Sequence, residues 1–206
     1  MITERKLVYV HDPMCSWCWG FSKVYQRLVK ALPESIEVTR LLGGLAPDSS
    51  ESMPMDMQRY LQQVWKTIAE TIPGTRFNHD FWTRCQPRRS TWPACRAVIA
   101  ARRQGLDFDL AMTNAIQEGY YRQAKNPSDD AVLVEFAATL GLDKDMFSQQ
   151  LNSVSTRQQL DQEIMQSRRL GVQSFPSLVL LIGDSVKPIK INYTDVEVML
   201  DSIIIQ

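Results

Sequence analysis

The first forty residues contain short apolar runs on either side of one amphipathic stretch. Residues 7–10 form a β-rich apolar run, which predicts a short buried strand. A helical pattern follows over residues 15–31, with apolar positions three and four apart, and Pro33 ends it. Residues 36–42 predict a second strand. Together they predict a β-α-β unit, in which the two strands normally run parallel.

The middle of the chain carries helical patterns and no strand pattern. The apolar side chains of residues 57–68 recur every three or four positions, as on one buried helix face. This region predicts five or six helices over roughly 115 residues. Their expected first residues or caps are Ser90 or Thr91, Asp107, Asp143 and Ser155, and their expected stops include Gly105, Gly141 and Gly171.

The pattern becomes strand-like again near the C-terminus. Residues 177–182 predict a strand, and the Gly-Asp pair at 183–184 suits a two-residue hairpin turn. The next strand, residues 186–191, contains Pro188, which favours a sheet edge because proline has no N–H to donate. Thr194 is expected to cap a last helix.

This order of elements predicts an α/β thioredoxin fold (β-α-β plus β-β-α) with an all-helical insertion. We assign residues 1–50 and 172–206 to a thioredoxin-like domain and residues 51–171 to a helical insertion domain. The insertion is divided into several predicted helices, which a linker would not be. We therefore expect it to pack over the sheet as a lid.

Composition and charge exclude several classes of protein. The chain is 44% hydrophobic and 22% charged, enough apolar surface to offset chain entropy, which excludes a disordered protein. Net charge is zero, whereas a general nucleic-acid binder carries a basic surplus. No segment reads as a secretory signal or a membrane span, so we expect a cytoplasmic protein without nucleic-acid or membrane partners. The 4 cysteines are too few for a disulfide-stapled scaffold.

Cys15 and Cys18 lie at the predicted junction between the first strand and the first helix. Thiols three residues apart in a first helical turn face the same side, at a separation that a disulfide tolerates. The unpaired N–H groups and the dipole of the helix favour the thiolate, which is the attacking form. We therefore predict Cys15 as the nucleophile and Cys18 as the resolving thiol. A zinc site would need a second closely spaced pair, and Cys85 and Cys95 are too far apart, so no metal is expected.

A second feature is Pro176, which precedes the third strand. The residue before it, Phe175, is restricted to an extended conformation. A trans proline that introduces a strand and a cis proline in a tight turn both fit this position.

Two segments, together with the helical insertion between them, resemble the DsbA-like thioredoxin superfamily. They are residues 11–21 (HDPMCSWCWGF) and residues 171–176 (GVQSFP). The resemblance is strongest to its cytosolic FrnE-like branch, which is related to 2-hydroxychromene-2-carboxylate isomerases and kappa-class glutathione transferases. It implies thiol–disulfide exchange through a mixed disulfide, with Cys15 as the exposed nucleophile and Cys18 as its partner. It also implies that Pro176 is a cis proline facing the pair and that the backbone of Phe175 holds an extended substrate. Trp17 adds apolar surface for such a substrate.

Two departures from the relatives refine this expectation. The isomerases and transferases typically carry serine where Cys15 stands, which disfavours a glutathione-dependent isomerase. The dipeptide of Ser16 and Trp17 has no cation, whereas strongly oxidising periplasmic relatives place a histidine there. We therefore expect a less oxidising dithiol, with no bound cofactor and with glutathione or protein disulfides as partners.

Other residues have two interpretations each. Cys85 and Cys95 form either an auxiliary redox couple, as in some FrnE-like proteins, or two free thiols. Four arginines could hold the carboxylates of glutathione or simply form a solvated face; they are Arg84, Arg88, Arg89 and Arg96. His11 could tune the Cys15 thiolate or only end a strand.

Three functions are consistent with these features. The first is a dithiol–disulfide oxidoreductase that depends on Cys15. The second is a glutathione-dependent isomerase or transferase on the same fold. The third is a non-catalytic, chaperone-like binding module with the cysteines as a redox switch. The oligomeric state is not predicted.

Overall fold

The computed structural model describes residues 5–205, and its strands form a single four-stranded sheet over that range. Strand β1 (Arg5–His11) pairs in parallel with β2 (Ile36–Leu42). Strand β1 also pairs antiparallel with β3 (Ser177–Ile182), which pairs antiparallel with β4 (Ser185–Ile189). The order β2-β1-β3-β4 places the proline-containing strand at an edge, as predicted. The thioredoxin fold is confirmed.

The other regular elements of residues 5–205 are helices. Their bounds are α1 Ser16–Ala31, α2 Met55–Thr71, α3 Phe81–Arg84, α4 Trp92–Arg102, α5 Phe108–Gln123, α6 Asp130–Thr139, α7 Lys144–Leu151, α8 Val154–Arg169 and α9 Glu197–Ile204. Helices α2 to α8 lie between β2 and β3, so the insertion is helical. The sequence missed α3, which at four residues is too short to show a helical period. The division into two domains stays a prediction.

Two predicted helix starts are wrong. Thr194 does not cap the last helix, because α9 begins at Glu197, whose N–H donates to the carboxylate of Asp195 at 3.0 Å. Ser153, two residues before the predicted Ser155, caps α8 with its hydroxyl. In both cases a neighbouring polar side chain competes for the same free N–H groups, which a local pattern does not resolve.

Three other starts lie where expected, but only one of them is a side-chain cap. Asp143 accepts a hydrogen bond from the N–H of Met146 at 2.9 Å and caps α7. Thr91 and Asp107 precede α4 and α5 without capping either helix. The hydroxyl of Thr91 is instead used in the active site described below.

The strands alternate their side chains between two apolar layers. Leu7 and Tyr9 pack with α1 and α9 on one face of the sheet. Val8 and Val10 pack on the opposite face, together with Phe175 from the loop before β3. This period of two is the reason that four consecutive buried residues form a strand. Because β1 and β3 are antiparallel, the end of β1 that leads to Cys15 lies beside the start of β3 that follows Pro176.

A buried ionic network joins the helical insertion to β2. Arg40 of β2 donates to Asp109 of α5 at 2.5 Å, and Asp109 also pairs with Arg102 of α4. Arg102 pairs with Glu163 of α8 at 2.7 Å, and Glu163 accepts the backbone N–H of Leu42 at 2.9 Å. These four charged side chains are at most 18% exposed. Because each charge has an opposite partner, the network holds the insertion against the sheet.

Within residues 5–205, every helix is either too short or too polar to cross a bilayer.

Candidate active site

The two cysteines of the Cys-x-x-Cys segment lie at the first turn of α1. The backbone of Cys15 is extended, its N–H donates to the carbonyl of Asp12 at 3.0 Å, and its carbonyl accepts from Trp19. Cys15 is therefore the N-cap of the helix, where free N–H groups cluster. Its side chain is only 7% exposed, which corrects the expectation of an exposed nucleophile. Neighbouring loops cover it, and it still lines a groove at the surface.

Cys18 lies one helical turn deeper and is fully buried. Burial raises the pKa of the Cys18 thiol well above its ordinary value, and its contact with Cys15 raises that pKa further. The two thiols are close, but only Cys15 lines the groove. This asymmetry suits a first thiol that attacks and a second that acts later.

The loop before β3 faces Cys15. The peptide bond between Phe175 and Pro176 is cis, as the family resemblance implies. The thiol of Cys15 donates to the carbonyl of Phe175 at 3.4 Å. The phenyl ring of Phe175 packs directly on Gly43, where a Cβ would lie 2.0 Å from the ring. Gly43 therefore lets the loop approach the cysteine, a role that the sequence analysis did not assign.

Asp12 is the residue that the sequence analysis missed most clearly. Its carboxylate is fully buried and accepts hydrogen bonds from the N–H groups of Met14 at 2.8 Å and Leu45 at 2.7 Å. It also accepts from the hydroxyl of Thr91 at 2.6 Å and from the thiol of Cys95 at 3.4 Å. Burial raises the pKa of Asp12, and these hydrogen bonds oppose that rise. The carboxylate thus holds the loop that carries Cys15 against α4. The only hint in the sequence is an acid before a proline at a strand end.

Cys85 and Cys95 have different hydrogen-bond acceptors. Cys95 is fully buried and donates to Asp12. Cys85 is half-buried and donates to the carbonyl of Ala124 at 3.0 Å. Burial raises the pKa of both thiols, more strongly for Cys95. Both are free thiols in this structure, and the choice between an auxiliary couple and two free thiols is left to experiment.

His11 is neutral in this environment. Burial lowers its pKa well below 6.5, and the charges of Arg40 and Arg102 lower it further. Its Nε2 lies 3.1 Å from the guanidinium of Arg40, which can only donate, so Nε2 is the acceptor. Its ring stacks on Tyr9 at 4.9 Å between centroids. Through Arg40, His11 is thus joined to the ionic network between β2 and the helical insertion.

The groove beside Cys15 has a volume of about 310 Å³. Its floor is the active-site loop with Trp17, and its walls come from α2 and from the loop that contains Phe175. Trp17 is half-buried and packs against Tyr193 with ring centroids 5.1 Å apart. Most of the lining is apolar; the residues include Met14, Leu45, Met53, Leu61, Val64 and Trp65.

Two of the four predicted arginines reach this groove. Arg88 and Arg89 line it, and Arg88 also bonds Asp129 and the carbonyl of Ser128. Arg96 is buried and bonds Asp48 at 2.9 Å, so it has a structural partner. Within the described part of the chain, no group of three potential ligands could hold a metal ion.

A β-α-β unit with a Cys-x-x-Cys at its helix start, facing a cis proline before β3, defines a protein of thioredoxin fold. The family model described as thioredoxin matches residues 8–199, and the chain belongs to that family.

Solved structures agree with this assignment. The chain is similar to a candidate protein disulfide isomerase from Nitrosomonas europaea, with a TM-score of 0.83, 24% identity and coverage of 97% of this chain and 95% of that one. It is also similar to the cytosolic disulfide reductase DsbM from Pseudomonas aeruginosa, with a TM-score of 0.74, 23% identity and coverage of 90% and 89%. DsbM has also been solved with GSH. At these identities the solved structures show the thioredoxin fold, and the DsbA-like superfamily and its FrnE-like branch stay predictions.

Among proteins of known role, the chain is similar to the ClpXP adapter protein SpxH. The protein from Bacillus subtilis is 26% identical over 170 residues, and the one from Halalkalibacterium halodurans is 23% identical over 176 residues. These matches include 81% and 82% of this chain but only 55% and 56% of the relatives. The chain therefore spans about half the length of the SpxH proteins it matches.

Proposed function

We propose that this protein is a thiol–disulfide oxidoreductase with Cys15 and Cys18 as its redox pair. The observation that carries the proposal is the position of Cys15, at the start of α1, beside a groove and 3.4 Å from the carbonyl of Phe175. A sulfur at this position lies among the free N–H groups at the helix start and can reach a substrate disulfide in the groove.

The reaction proceeds by two exchanges. The thiolate of Cys15 attacks a disulfide R–S–S–R′, forms a Cys15–S–S–R bond and releases R′–S⁻, which takes a proton from water. Cys18 then loses its proton and attacks the Cys15 sulfur, which forms the Cys15–Cys18 disulfide and releases R–S⁻. The substrate is reduced by two electrons and the protein is oxidised by two. An external dithiol or thiol returns the pair to its reduced form.

The lining of the groove indicates the substrate. Apolar side chains dominate, and the carbonyl of Phe175 is available beside the nucleophile. An extended, apolar segment of a protein fits such a surface, with main-chain hydrogen bonds to the loop of Phe175 and contact with Trp17.

We further propose that the protein acts as a reductase in the cytoplasm. The dipeptide between the cysteines is Ser16-Trp17 and supplies no cation to stabilise the Cys15 thiolate. Strong oxidants owe their potential to a stabilised reduced form. The similarity to a cytosolic disulfide reductase, DsbM, supports the same direction.

Insulin provides a direct test, because its reduced chains precipitate. With dithiothreitol as the reductant, we expect the Cys15→Ser variant to lose all catalysis of insulin reduction. The Cys18→Ser variant should accumulate mixed disulfides that mass spectrometry detects. Cys85→Ser is the matched control and should keep its activity. Full activity of Cys15→Ser would refute the proposal.

Glutathione is a candidate small substrate. Arg88 and Arg89 lie in the groove beside Cys15, where guanidinium groups could pair with the carboxylates of the tripeptide. The GSH-bound structure of DsbM supports this assignment. Titration calorimetry of the Cys15→Ser variant with reduced glutathione tests it. Absence of binding would also exclude the alternative of a glutathione-dependent isomerase or transferase.

The similarity to SpxH supports a second candidate function, a non-catalytic binding module. In that case binding does not need the thiols. The Cys15→Ser/Cys18→Ser double variant would then still suppress the aggregation of chemically reduced insulin chains. Loss of suppression in the double variant would exclude this function.

A further inference from the structure

Cys15 and Cys18 line different cavities. Cys15 lines the substrate groove, and Cys18 does not. Cys18 lines a second, much smaller cavity between α1 and α5, with a volume of about 10 Å³. We call it the Cys18 cavity; Tyr9, Cys18 and Gln117 form its inner wall, and Ser22, Gln26 and Asn114 form its mouth. The volume is enough for about one water molecule.

The wall of the Cys18 cavity contains an unpaired polar atom. Gln117 is only 2% exposed, and its Oε1 has no hydrogen-bond partner among residues 5–205. Buried amide oxygens nearly always have a partner, either in the protein or an ordered water. A water in the Cys18 cavity would donate to Gln117 Oε1 and lie beside the sulfur of Cys18. The residues at the mouth are half-exposed, so such a water could exchange protons with solvent.

The exchange chemistry needs such a route. In the second step of the proposed reaction, Cys18 must lose its proton before it attacks the Cys15 sulfur. At that moment the substrate is still attached to Cys15 and fills the groove. Cys18 itself is fully buried. A proton that leaves Cys18 therefore has to move away from the groove.

The carboxylate of Asp12, whose charge acts on Cys18, is poorly suited to receive it. Asp12 already accepts hydrogen bonds from two backbone N–H groups, a hydroxyl and the thiol of Cys95. These donors contact both oxygens of the carboxylate, so a proton transferred to Asp12 would compete with them. Among the residues that line the cavity, Tyr9 and Tyr25 carry hydroxyls whose pKa is raised by burial, and the guanidinium of Arg40 can only donate.

On the basis of the function proposed above, we propose that the Cys18 cavity is the proton exit of the resolving thiol. Gln117 is a positioning residue in it, since it acts by holding the water that accepts the proton. The proton leaves Cys18 through this water between Ser22 and Asn114, and the Cys18 thiolate forms the S–S bond with Cys15. The departing R–S⁻ takes its proton separately, on the groove side.

A stopped-flow experiment separates the two steps. Reduced full-length protein carrying Cys85→Ser is mixed with excess 5,5′-dithiobis(2-nitrobenzoate), and release of thionitrobenzoate is followed by absorbance. The first equivalent reports the attack of Cys15 and the second reports the attack of Cys18. Mass spectrometry of the product verifies the Cys15–Cys18 disulfide.

Gln117→Met keeps the length of the side chain and removes its oxygen. We expect it to slow the second phase by at least about tenfold and to leave the first phase within about twofold. Gln117→Glu restores an oxygen and should restore the second phase. Gln123→Met, an exposed position on the same helix, is the matched control and should behave as the parent protein.

A variant at the mouth keeps the test independent of core packing. Asn114 is half-exposed, so Asn114→Leu should fold normally. It should also slow the second phase, because the leucine side chain narrows the exit. A parental second phase in both Gln117→Met and Asn114→Leu would overturn the proposal. Equal slowing of both phases would overturn it too, because the effect would then lie on Cys15. If the parent protein forms no Cys15–Cys18 disulfide, the proposed function itself fails.

Discussion

The hydroxyl of Thr91 donates a 2.6 Å hydrogen bond to the carboxylate of Asp12, 79 residues away in the chain. The same hydroxyl oxygen accepts the backbone N–H of Ala46 at 3.0 Å. One side chain at the start of α4 therefore joins the active-site loop to the loop after β2. The helical insertion thus contributes directly to the position of Cys15.

Removal of this hydroxyl should cost stability. Thr91→Val keeps the shape of the side chain, leaves the N–H of Ala46 without a partner and takes one donor from a buried carboxylate. We expect the free energy of unfolding to fall by about 1–3 kcal/mol, measured by urea denaturation at neutral pH. Thr139→Val, an exposed helical threonine, is the control and should change it by less than about 0.5 kcal/mol. Equal effects of the two substitutions would contradict this role.

The buried His11 predicts a pH dependence of stability. Its folded-state pKa is lowered, so below pH ~6.5 the unfolded chain binds a proton that the folded chain does not. The contribution of His11 to the free energy of unfolding is therefore fully present above that pH. It is lost as the pH falls towards the folded-state pKa, by about 1.4 kcal/mol per pH unit. His11→Gln, which can still accept from Arg40, should remove this slope.

The chain offers a natural control for that measurement, because it has 2 histidines. His79 is exposed, so His79→Gln is the matched control variant. Denaturant titrations between about pH 5 and 7 compare the two variants. A parental slope in His11→Gln would show that His11 is not the group responsible.

Gly43→Ala should impair the reaction more than the fold. The new Cβ would lie 2.0 Å from the ring of Phe175, which must move and take its carbonyl away from Cys15. Misplacement of a positioning group is costly in rate, so we expect kcat/KM for insulin reduction to fall at least about tenfold. Gly141→Ala is the control: it also adds a methyl group, but Gly141 has a left-handed backbone and open space around it. We expect it to lower stability without changing kcat/KM.

The redox potential of the Cys15–Cys18 pair tests the direction of electron flow. Without a cation between the cysteines, we expect a potential near those of reductases or glutaredoxins, about −270 to −200 mV. Equilibration with glutathione buffers of known ratio, followed by mass spectrometry, measures it. A value near about −120 mV would indicate a strong oxidant and contradict the proposed reductase.

Oxidation should also distinguish the two pairs of cysteines. Cys85 and Cys95 donate to different acceptors, a backbone carbonyl and the carboxylate of Asp12. We therefore expect mild oxidation to crosslink Cys15 with Cys18 and to leave the other two as thiols. Peptide mapping with an alkylating label checks this. A Cys85–Cys95 crosslink would instead reveal an auxiliary redox couple.

Local patterns were sufficient for the framework of the fold. The apolar run in β1, the glycine at the hairpin turn and Pro188 at the edge are signals within a few residues, and the structure confirms each. The cis bond before Pro176 was implied by family resemblance, since sequence physics alone allowed either isomer.

The contacts that build the site were not predictable in the same way. Asp12 contacts Thr91 and Cys95, which are 79 and 83 residues away in the chain, and Gly43 contacts Phe175, which is also distant in sequence. No periodicity relates such residues, because they are brought together only when the insertion packs on the sheet. For the same reason the near-burial of Cys15 was missed, since the loops that cover it are distant in sequence.

The bond between Glu163 and the N–H of Leu42 has a consequence for the behaviour of the sheet. Strand β2 is one edge strand of the sheet, and at its end the N–H of Leu42 already donates to Glu163 of α8. Strand β4 is the other edge strand, and Pro188 removes an N–H there. Both edge strands are thereby poor templates for an incoming strand, which protects the chain against edge-to-edge aggregation. An incoming polypeptide would therefore form main-chain hydrogen bonds more readily with the carbonyl of Phe175, beside the sulfur of Cys15.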